Sequence, residues 1–513
     1  MSTLSLPAHA QRRLSDLPSP PSLPWIGHAH LFRPHRMHRQ LEEWGQAHGT
    51  PYRLNLAGLQ IMVIDDPEVA HALLRDRPAN VSRGRVIRPV FAELGIDGLF
   101  STEGDEWLPQ RKLIMSSLNT ANFRAFFPTI RYITERLYRR WRRAAETGSV
   151  VEMTQDLVRY TVDVTSALSF GEDPNTLEQD GHIIQDHLAA IFPAVMKRVV
   201  APMPYWRWFK LPSDRALDRH LAAVHAYAHE RIDRARQRLR DEPEGAPRHV
   251  LEAMLMQADL PGSGFTDEVV LANVLTLLLG GEDTTAHSLA WTMLHLAAAP
   301  ELQQQMHEQA VARLGSDLVC TEHARVRDLD AFEALATEAQ RLNPVVGFIG
   351  MQTLRDMTVA GVALSAGTQI FFVNRPGQVS ATHFADPEHY RPERWLHGAG
   401  NGQDQPDGRH NPRAFLQFGA GSRVCPGRHL AGVEMRMVLS MLMRNFEVEL
   451  ACDPAEIREV LNFTVTPSHM PVRLKPRRPE AGSCEVSAPS RSRPGSQTKP
   501  LATAQGGCPF GHA

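Results

Sequence analysis

The stretch from Phe418 to Gly427, with the sequence FGAGSRVCPG, constrains the fold of this chain more than any other feature. Gly419 and Gly421 permit positive φ, and Gly427 lets the backbone pass close to a flat group. The stretch therefore predicts a tight loop that presents Cys425. Apolar residues at helical spacing follow, so Cys425 is expected at a helix start, where backbone N–H groups and the helix dipole stabilise a thiolate. For an arbitrary cysteine, a small buried apolar residue is the commoner outcome.

Five residues of this loop, Phe418, Gly421, Arg423, Cys425 and Gly427, follow the spacing F-x-x-G-x-R-x-C-x-G. This pattern resembles the haem-binding signature of the cytochrome P-450 superfamily. The resemblance implies haem b as cofactor, with Cys425 as the axial thiolate ligand of its iron and Arg423 at a haem propionate. It also implies a mainly α fold with a small β region, a triangular helical prism that holds haem between a long central helix and the cysteine loop.

A long apolar segment runs from Thr266 to Ala299 and is stopped by Pro300. Thr266 suits an N-cap, and the two acidic residues after it suit a first helical turn. The segment is apolar on nearly every face, so it is expected to be a buried helix. At 1.5 Å per residue it would be about 50 Å long, enough to cross the molecule as its central helix.

The middle of this segment reads GGEDTT, starting at Gly280 and Gly281. Glycine in a helix interior costs about 1 kcal/mol relative to alanine, and threonine diverts backbone hydrogen bonds. A simple helix kink would explain such residues. The segment also resembles the family's oxygen-groove motif, which implies that Asp283 relays protons and that Thr284 hydrogen-bonds dioxygen over the iron. Glu282 falls at the variable position of that motif and receives no role.

Trp107 and Arg111 lie four residues apart and share one face of a predicted helix. Alone, the pair would be a surface contact between a cation and an aromatic ring. It resembles the family's W-x-x-x-R element, which implies that both side chains donate hydrogen bonds to a haem propionate.

Glu338 and Arg341 form an E-x-x-R pair, and Arg394 lies in a downstream PERW element. E-x-x-R is a weak signal by itself, but the order of the elements resembles that of the family. The resemblance implies a buried ionic triad that braces the cysteine loop. The chain departs from many relatives at Met351, where a propionate-binding arginine is common, and the sequence leaves open whether Arg355 substitutes for it.

The composition describes a globular protein, with 42% hydrophobic and 22% charged residues among 513. The net charge of −2 gives no electrostatic case for nucleic acid. The five cysteines are too widely spaced for a disulfide framework or a paired-ligand zinc cluster. We expect a flexible leader over 1–17, a single haem domain over 18–476 and a disordered tail over 477–513. The N-terminus has no apolar anchor, which favours a cytoplasmic enzyme of the soluble bacterial type without a membrane span. A monomer is expected.

The family implies a dioxygen-dependent monooxygenase supplied with electrons by a separate ferredoxin or flavodoxin and an NAD(P)H reductase. A basic face around the cysteine side, at Arg111, Lys112, Arg428 and Arg436, is a candidate docking surface, although a plain solvated surface is nearly as good an interpretation. Two alternatives remain: a peroxide-driven peroxygenase or haem isomerase or dehydratase, and a non-catalytic haem sensor suggested by Cys508-Pro509.

A hydrophobic substrate is expected because the candidate pocket residues are apolar. These residues are Val86, Ile87, Phe91, Phe192, Met196, Leu277, Val346 and Phe463.

Overall fold

The structure is a computed structural model and describes residues 12–84, 87–180, 183–199, 201, 203–396 and 410–477. The α-helices are α1 Met37–His48, α2 Pro67–Arg75, α3 Ile87–Glu93, α4 Trp107–Ser117, α5 Thr120–Thr147, α6 Met153–Phe170, α7 Ile183–Val199, α8 Pro212–Asp241, α9 Val250–Ala258, α10 Asp267–Ala297, α11 Pro300–Leu314, α12 His323–Val326, α13 Asp330–Leu342, α14 Asn374–Gln378 and α15 Arg428–Asn445. The strands are β1 Arg12–Arg13, β2 Tyr52–Leu56, β3 Leu59–Ile64, β4 Val81–Ser82, β5 Val150–Glu152, β6 Phe348–Thr353, β7 Met357–Val359, β8 Val362–Leu364, β9 Gln369–Val373, β10 Phe446–Leu450, β11 Glu459–Leu461, β12 Val465–Pro467 and β13 Pro471–Pro476. The predicted mainly α fold with a small β region is confirmed.

The helix α10 is the central helix that the sequence predicts. Thr266 caps its start by accepting a hydrogen bond from the backbone N–H of Val269. α10 packs against α6, α9, α13 and α15, which bury its apolar residues on several sides. Among the described helices, α10 is the one long and apolar enough to span a membrane, but most of it is buried inside the fold, as expected for a core helix.

The β region consists of small sheets built from strands far apart in the chain. The largest has the order β2-β3-β9-β6-β4, and a second has the order β10-β13-β5. In the largest sheet, the short strand β4 pairs with β6, with Val81 opposite Thr353 and Ser82 opposite Gln352. A separate hairpin, β11–β12, carries Phe463 and Thr464 in its turn.

The structure corrects two expectations. Residues 12–17 were expected in a flexible leader, but β1 pairs with β8 and Leu17 is buried at 3% exposure. The stretch from Asn80 to Phe100 has no clear hydrophobic period and reads from the sequence as a loop, yet it contains β4 and α3. The predicted tail lies outside the described residues, except for residue 477. The described residues belong to one compact unit.

Candidate functional site

The cysteine loop has the tight geometry that its glycines predict. Gly419 and Gly421 both have φ of +71°, a region that favours glycine. A Cβ atom on Gly421 would also lie 2.8 Å from the carbonyl oxygen of Leu74 in α2. The backbone N–H of Cys425 donates to the carbonyl of Phe418 at 2.9 Å and closes the loop. The loop therefore holds Cys425 three residues before α15.

The Cys425 side chain is exposed, although enough protein surrounds its sulfur for burial to act on the thiol. Burial raises the pKa of Cys425, and the backbone N–H groups of Gly427 and Arg428 together with the Arg111 charge oppose this rise. A Cβ atom on Gly427 would meet only the Cys425 sulfur, at 3.8 Å, so no protein contact explains the glycine there. A flat cofactor beside the sulfur does explain it.

The GGEDTT motif of α10 contains residues accessible to solvent, although most of the helix is buried. Gly280 is exposed, and a Cβ atom there would touch nothing within 4 Å. Asp283 and Thr284 are partly exposed on the same stretch, and the Thr284 hydroxyl donates to the Gly280 carbonyl at 2.9 Å. At Gly281, by contrast, a Cβ atom would lie 2.6 Å from Cγ2 of Thr165. The first glycine therefore opens space, and the second permits close packing of α6 on α10.

Two adjacent carboxyl groups, Glu282 and Asp283, lie in this part of α10. Burial raises the pKa of Asp283 to about 7. Burial, followed by the neighbouring Asp283, raises the pKa of Glu282 well above its usual range. Asp283 thus titrates near neutral pH, as a group that passes protons must. Nearby, Glu434 of α15 is also buried, and burial raises its pKa to about 8.

Arginines converge beside the cysteine loop around one carboxylate, Glu103. Arg423 pairs with it at 2.7 Å, and Arg77 pairs with it at 3.3 Å. Arg423 also donates to the carbonyl of Thr102 and lies 4.5 Å from the centre of the Trp107 ring. Burial lowers the pKa of Arg423 to about 10. The predicted propionate partners Trp107 and Arg423 therefore contact each other, although Arg423 already has a carboxylate partner.

Arg83 is a cationic residue that the sequence reasoning missed. Among the described residues its guanidinium has no hydrogen-bond or ion-pair partner; it lies 3.9 Å from the centre of the Phe100 ring, and its Nε is buried. Burial, then repulsion by Arg77 and Arg423, lowers the pKa of Arg83 to about 9. Glu103 and the Cys425 sulfur oppose this fall, because their negative charges favour the charged form of Arg83.

The sheet register places Arg83 in the same part of the sheet as Met351. Arg83 directly follows β4, whose last residue, Ser82, pairs with Gln352, the neighbour of Met351 in β6. Met351 is fully buried, whereas Arg355 is exposed beyond the end of β6. Its exposed position disfavours Arg355 as a substitute for the missing arginine. Arg83, Arg77 and Arg423 form a cationic cluster in which Glu103 pairs with the last two, and this cluster suits further anionic groups such as the propionates of haem.

The ion-pair triad predicted from E-x-x-R and PERW is present. Glu338 accepts hydrogen bonds from Arg341 at 2.8 and 2.9 Å and from Arg394 at 2.9 Å, and all three side chains are buried. The Trp395 indole and the Arg391 backbone N–H also donate to Glu338. The carboxylate of α13 is thus fully hydrogen-bonded and ties α13 to the segment that leads to the cysteine loop.

Aromatic side chains cluster at the turn of the β11–β12 hairpin, beside α10. Phe100 contacts both Phe91, at 5.3 Å between ring centres, and Phe463 in the β11–β12 turn, at 5.9 Å. Thr464, in the same turn, bonds to Nδ1 of His287 in α10 at 2.8 Å. The predicted pocket residues Ile87, Met196, Leu277, Val346 and Phe463 are partly buried. Val86 and the Phe192 side chain lie outside the described part of the structure.

Comparisons with known proteins agree with this arrangement. A family model described as Cytochrome P450 matches residues 17–470. The chain is 27% identical to "Cytochrome P450 11B3, mitochondrial" of Rattus norvegicus, over 85% of this chain and 86% of that protein. It is 26% identical to "25-hydroxyvitamin D-1 alpha hydroxylase, mitochondrial" of Homo sapiens, over 89% of this chain and 92% of that protein. The solved structure of a cytochrome P450DA heme domain has the same fold, with a TM-score of 0.78 at 22% identity, covering 90% of this chain and 98% of that one.

Proposed function

The chain belongs to the cytochrome P450 family and is a haem-thiolate monooxygenase, and from this premise we propose that Cys425 supplies the thiolate. When bound, the haem activates dioxygen, and the thiolate donates electron density that favours O–O cleavage over reversible binding. The observation that carries this assignment is the exposed Cys425 side chain, whose thiolate form is favoured by the backbone N–H groups of Gly427 and Arg428 and by the charge of Arg111.

Arg83, Arg423, Arg111 and Trp107 would hold the haem propionates. Arg83 has a buried guanidinium without an anionic partner among the described residues, and a carboxylate would satisfy it. Burial lowers the pKa of Arg111, while the Cys425 sulfur favours its charged form. Phe418 and Gly427 would line the side of the cysteine, and Gly280 the side of α10. Gly281 and Gly421, which were also expected at the cofactor, instead permit close packing against α6 and α2.

Asp283 and Thr284 would manage protons on the α10 side of the site. With a pKa of about 7, Asp283 can hold a proton at a carboxyl oxygen near neutral pH and release it without a large penalty. The Thr284 hydroxyl, fixed by its bond to the Gly280 carbonyl, keeps its oxygen available as an acceptor. Glu338, Arg341 and Arg394 would act structurally, by bracing the cysteine loop.

A separate acidic redox protein would supply the electrons, and the basic face near α4 and α15 would receive it. Lys112 and Arg428 are exposed there, and Arg124 adds a third exposed charge near His429. Arg436 contributes less than the sequence suggests, because it pairs with Glu333 at 2.8 Å. Reversal of charge at Lys112 should slow electron delivery. The same reversal at the exposed Arg142, which lies about 27 Å beyond Arg124 along α5, should not.

The substrate would be a hydrophobic small molecule held among Phe91, Phe100 and Phe463. One relative is named as a hydroxylase of 25-hydroxyvitamin D, which is consistent with an apolar substrate class. A spin-shift titration of the ferric haem against a ligand library identifies molecules that enter the site. The cytoplasmic location and the monomeric state stay predictions of the sequence.

Turnover with labelled dioxygen tests the proposal. The holoenzyme, a ferredoxin or flavodoxin system and NAD(P)H should convert a ligand from that titration into a product that carries one atom from ¹⁸O₂. Product from hydrogen peroxide with none from dioxygen would instead establish the peroxygenase alternative. The alternative of a non-catalytic haem sensor rests on Cys508, which lies outside the described residues. Membership of the cytochrome P450 family favours an enzyme instead.

A further inference from the structure

Three potential metal ligands meet at the base of the β11–β12 hairpin, apart from the cysteine loop. Cys452 follows β10, Glu456 lies just before β11, and His469 lies between β12 and β13. One ligand atom of each lies within 4.8 Å of the others. Two separate segments of the chain therefore bring a thiol, a carboxylate and an imidazole together.

Hydrogen bonds hold these two segments in place. The backbone N–H of Ser468 donates to the Arg458 carbonyl at 2.8 Å, and the Arg458 N–H donates to the Ser468 hydroxyl at 3.1 Å. That hydroxyl lies 2.9 Å from Nδ1 of His469. If Nδ1 carries the proton, it donates to Ser468 and leaves Nε2 as a free ligand, the usual arrangement for a metal-binding histidine. Asp453 also fixes the turn before Glu456, because it accepts the Ala455 N–H at 2.9 Å.

The ligand set selects the class of ion. A thiolate, an imidazole and a carboxylate together suit Zn²⁺, whereas Ca²⁺ and Mg²⁺ prefer oxygen ligands alone. Tetrahedral zinc would separate the ligand atoms by about 3.5 Å, so small side-chain rotations suffice. The carboxylates of Asp453 and Glu152 also act on the Cys452 sulfur and add negative charge that attracts a cation. All three ligands are at least partly accessible to solvent, so an ion can enter.

We propose that Cys452, Glu456 and His469 form a zinc-binding site that fastens the base of the β11–β12 hairpin. The turn of this hairpin carries Phe463, which contacts Phe100, and Thr464, which bonds to His287. Bound zinc therefore restricts the same hairpin that contributes Phe463 to the substrate pocket. The site is separate from the haem and does not depend on the assignment of Cys425.

Alkylation mapping of the full-length holoenzyme tests the site with zinc as the only added probe. Zn²⁺ should protect Cys452 from iodoacetamide, as measured by mass spectrometry of its peptide. In His469→Ala and Glu456→Gln, the zinc concentration for half-protection should rise more than about 10-fold, since loss of an outer-shell partner alone costs about 10–100-fold. The thermal unfolding midpoint of the wild type should rise with zinc, and that of Cys452→Ser should rise less.

The cysteines Cys484 and Cys508 in the same digest report zinc bound elsewhere, and their protection should be the same in all variants. The haem absorbance of each metal-free variant shows that it is folded. No protection of Cys452 in the folded wild type, or equal protection in the wild type and both folded variants, would overturn the proposal.

Discussion

The buried guanidinium of Arg83 illustrates how single residues define this site. It lies against Phe100, and Glu103, a carboxylate that favours its charged form, pairs with two other arginines. Desolvation of such a charge is costly unless an anion compensates for it. The composition of the pocket thus calls for an anionic group, which haem supplies through its propionates.

Arg83→Met should weaken haem retention while the protein stays folded. A hydrogen bond to a charged group contributes about 1.5–3 kcal/mol, so haem transfer to apomyoglobin should become about 10- to 100-fold faster. Arg355→Met serves as the matched control, because Arg355 is exposed beyond β6 and should leave the transfer rate unchanged. Equal rates for the wild type and Arg83→Met would refute the role given to Arg83.

Asp283 should set the pH dependence of oxygenation. Burial raises its pKa to about 7, so the carboxyl is protonated below that pH and loses its proton above it. Oxygenation by the wild type should therefore decline as pH rises through about 7. Asp283→Asn should lower the rate about 100-fold or more, a typical contribution of a proton-transferring group, and should abolish this inflection. The pH profiles of product formation and peroxide release measure both effects.

Glu282→Gln is the control for Asp283, because it changes the adjacent buried carboxyl group and leaves Asp283 in place. It should keep the inflection near pH 7. If Asp283→Asn keeps that inflection and Glu282→Gln loses it, the proton role belongs to Glu282.

Individual elements differ in how well the sequence predicts them. The helix α10 lies within the predicted segment, and α15 follows the cysteine loop as predicted, because N-caps, stop signals and apolar periodicity are local. The short helix α3 was not predicted, since its apolar residues follow no clear period and Pro89 lies in its first turn, a position that helices tolerate. Local patterns thus define long elements better than short ones.

The attachment of α13 to the cysteine loop should depend on the buried triad. Arg394→Met leaves Glu338 without one of its cationic partners in a fully buried position, so the free energy of unfolding should fall by about 3–5 kcal/mol. Arg142→Met, which breaks an exposed pair with Glu146, should cost less than about 1 kcal/mol. Denaturant unfolding of the holoenzyme measures both. A loss below about 1 kcal/mol for Arg394→Met would show that the triad does not brace the loop.

At the scale of the whole molecule, contacts between segments far apart in the chain could not be predicted from the sequence. The role proposed for Arg83 in place of the charge that Met351 lacks depends on the pairing of β4 with β6, which joins segments far apart in the chain. The pairing of β1 with β8 likewise ordered a segment expected to be flexible. Motifs with fixed spacing predicted Cys425, the triad and the α10 motif, because each is specified within a few residues. The pocket between them depends on long-range packing that no local pattern encodes.

The ferrous carbonyl spectrum of Cys425→His tests the central claim most directly. If Cys425 is the axial ligand, this variant should bind haem but lose the thiolate-type spectrum and oxygenation, because imidazole replaces the thiolate. Replacement of Cys320, Cys452, Cys484 or Cys508 by serine should leave the thiolate-type spectrum intact. A thiolate-type spectrum in Cys425→His, or its loss on replacement of one of the other four cysteines, would contradict the account.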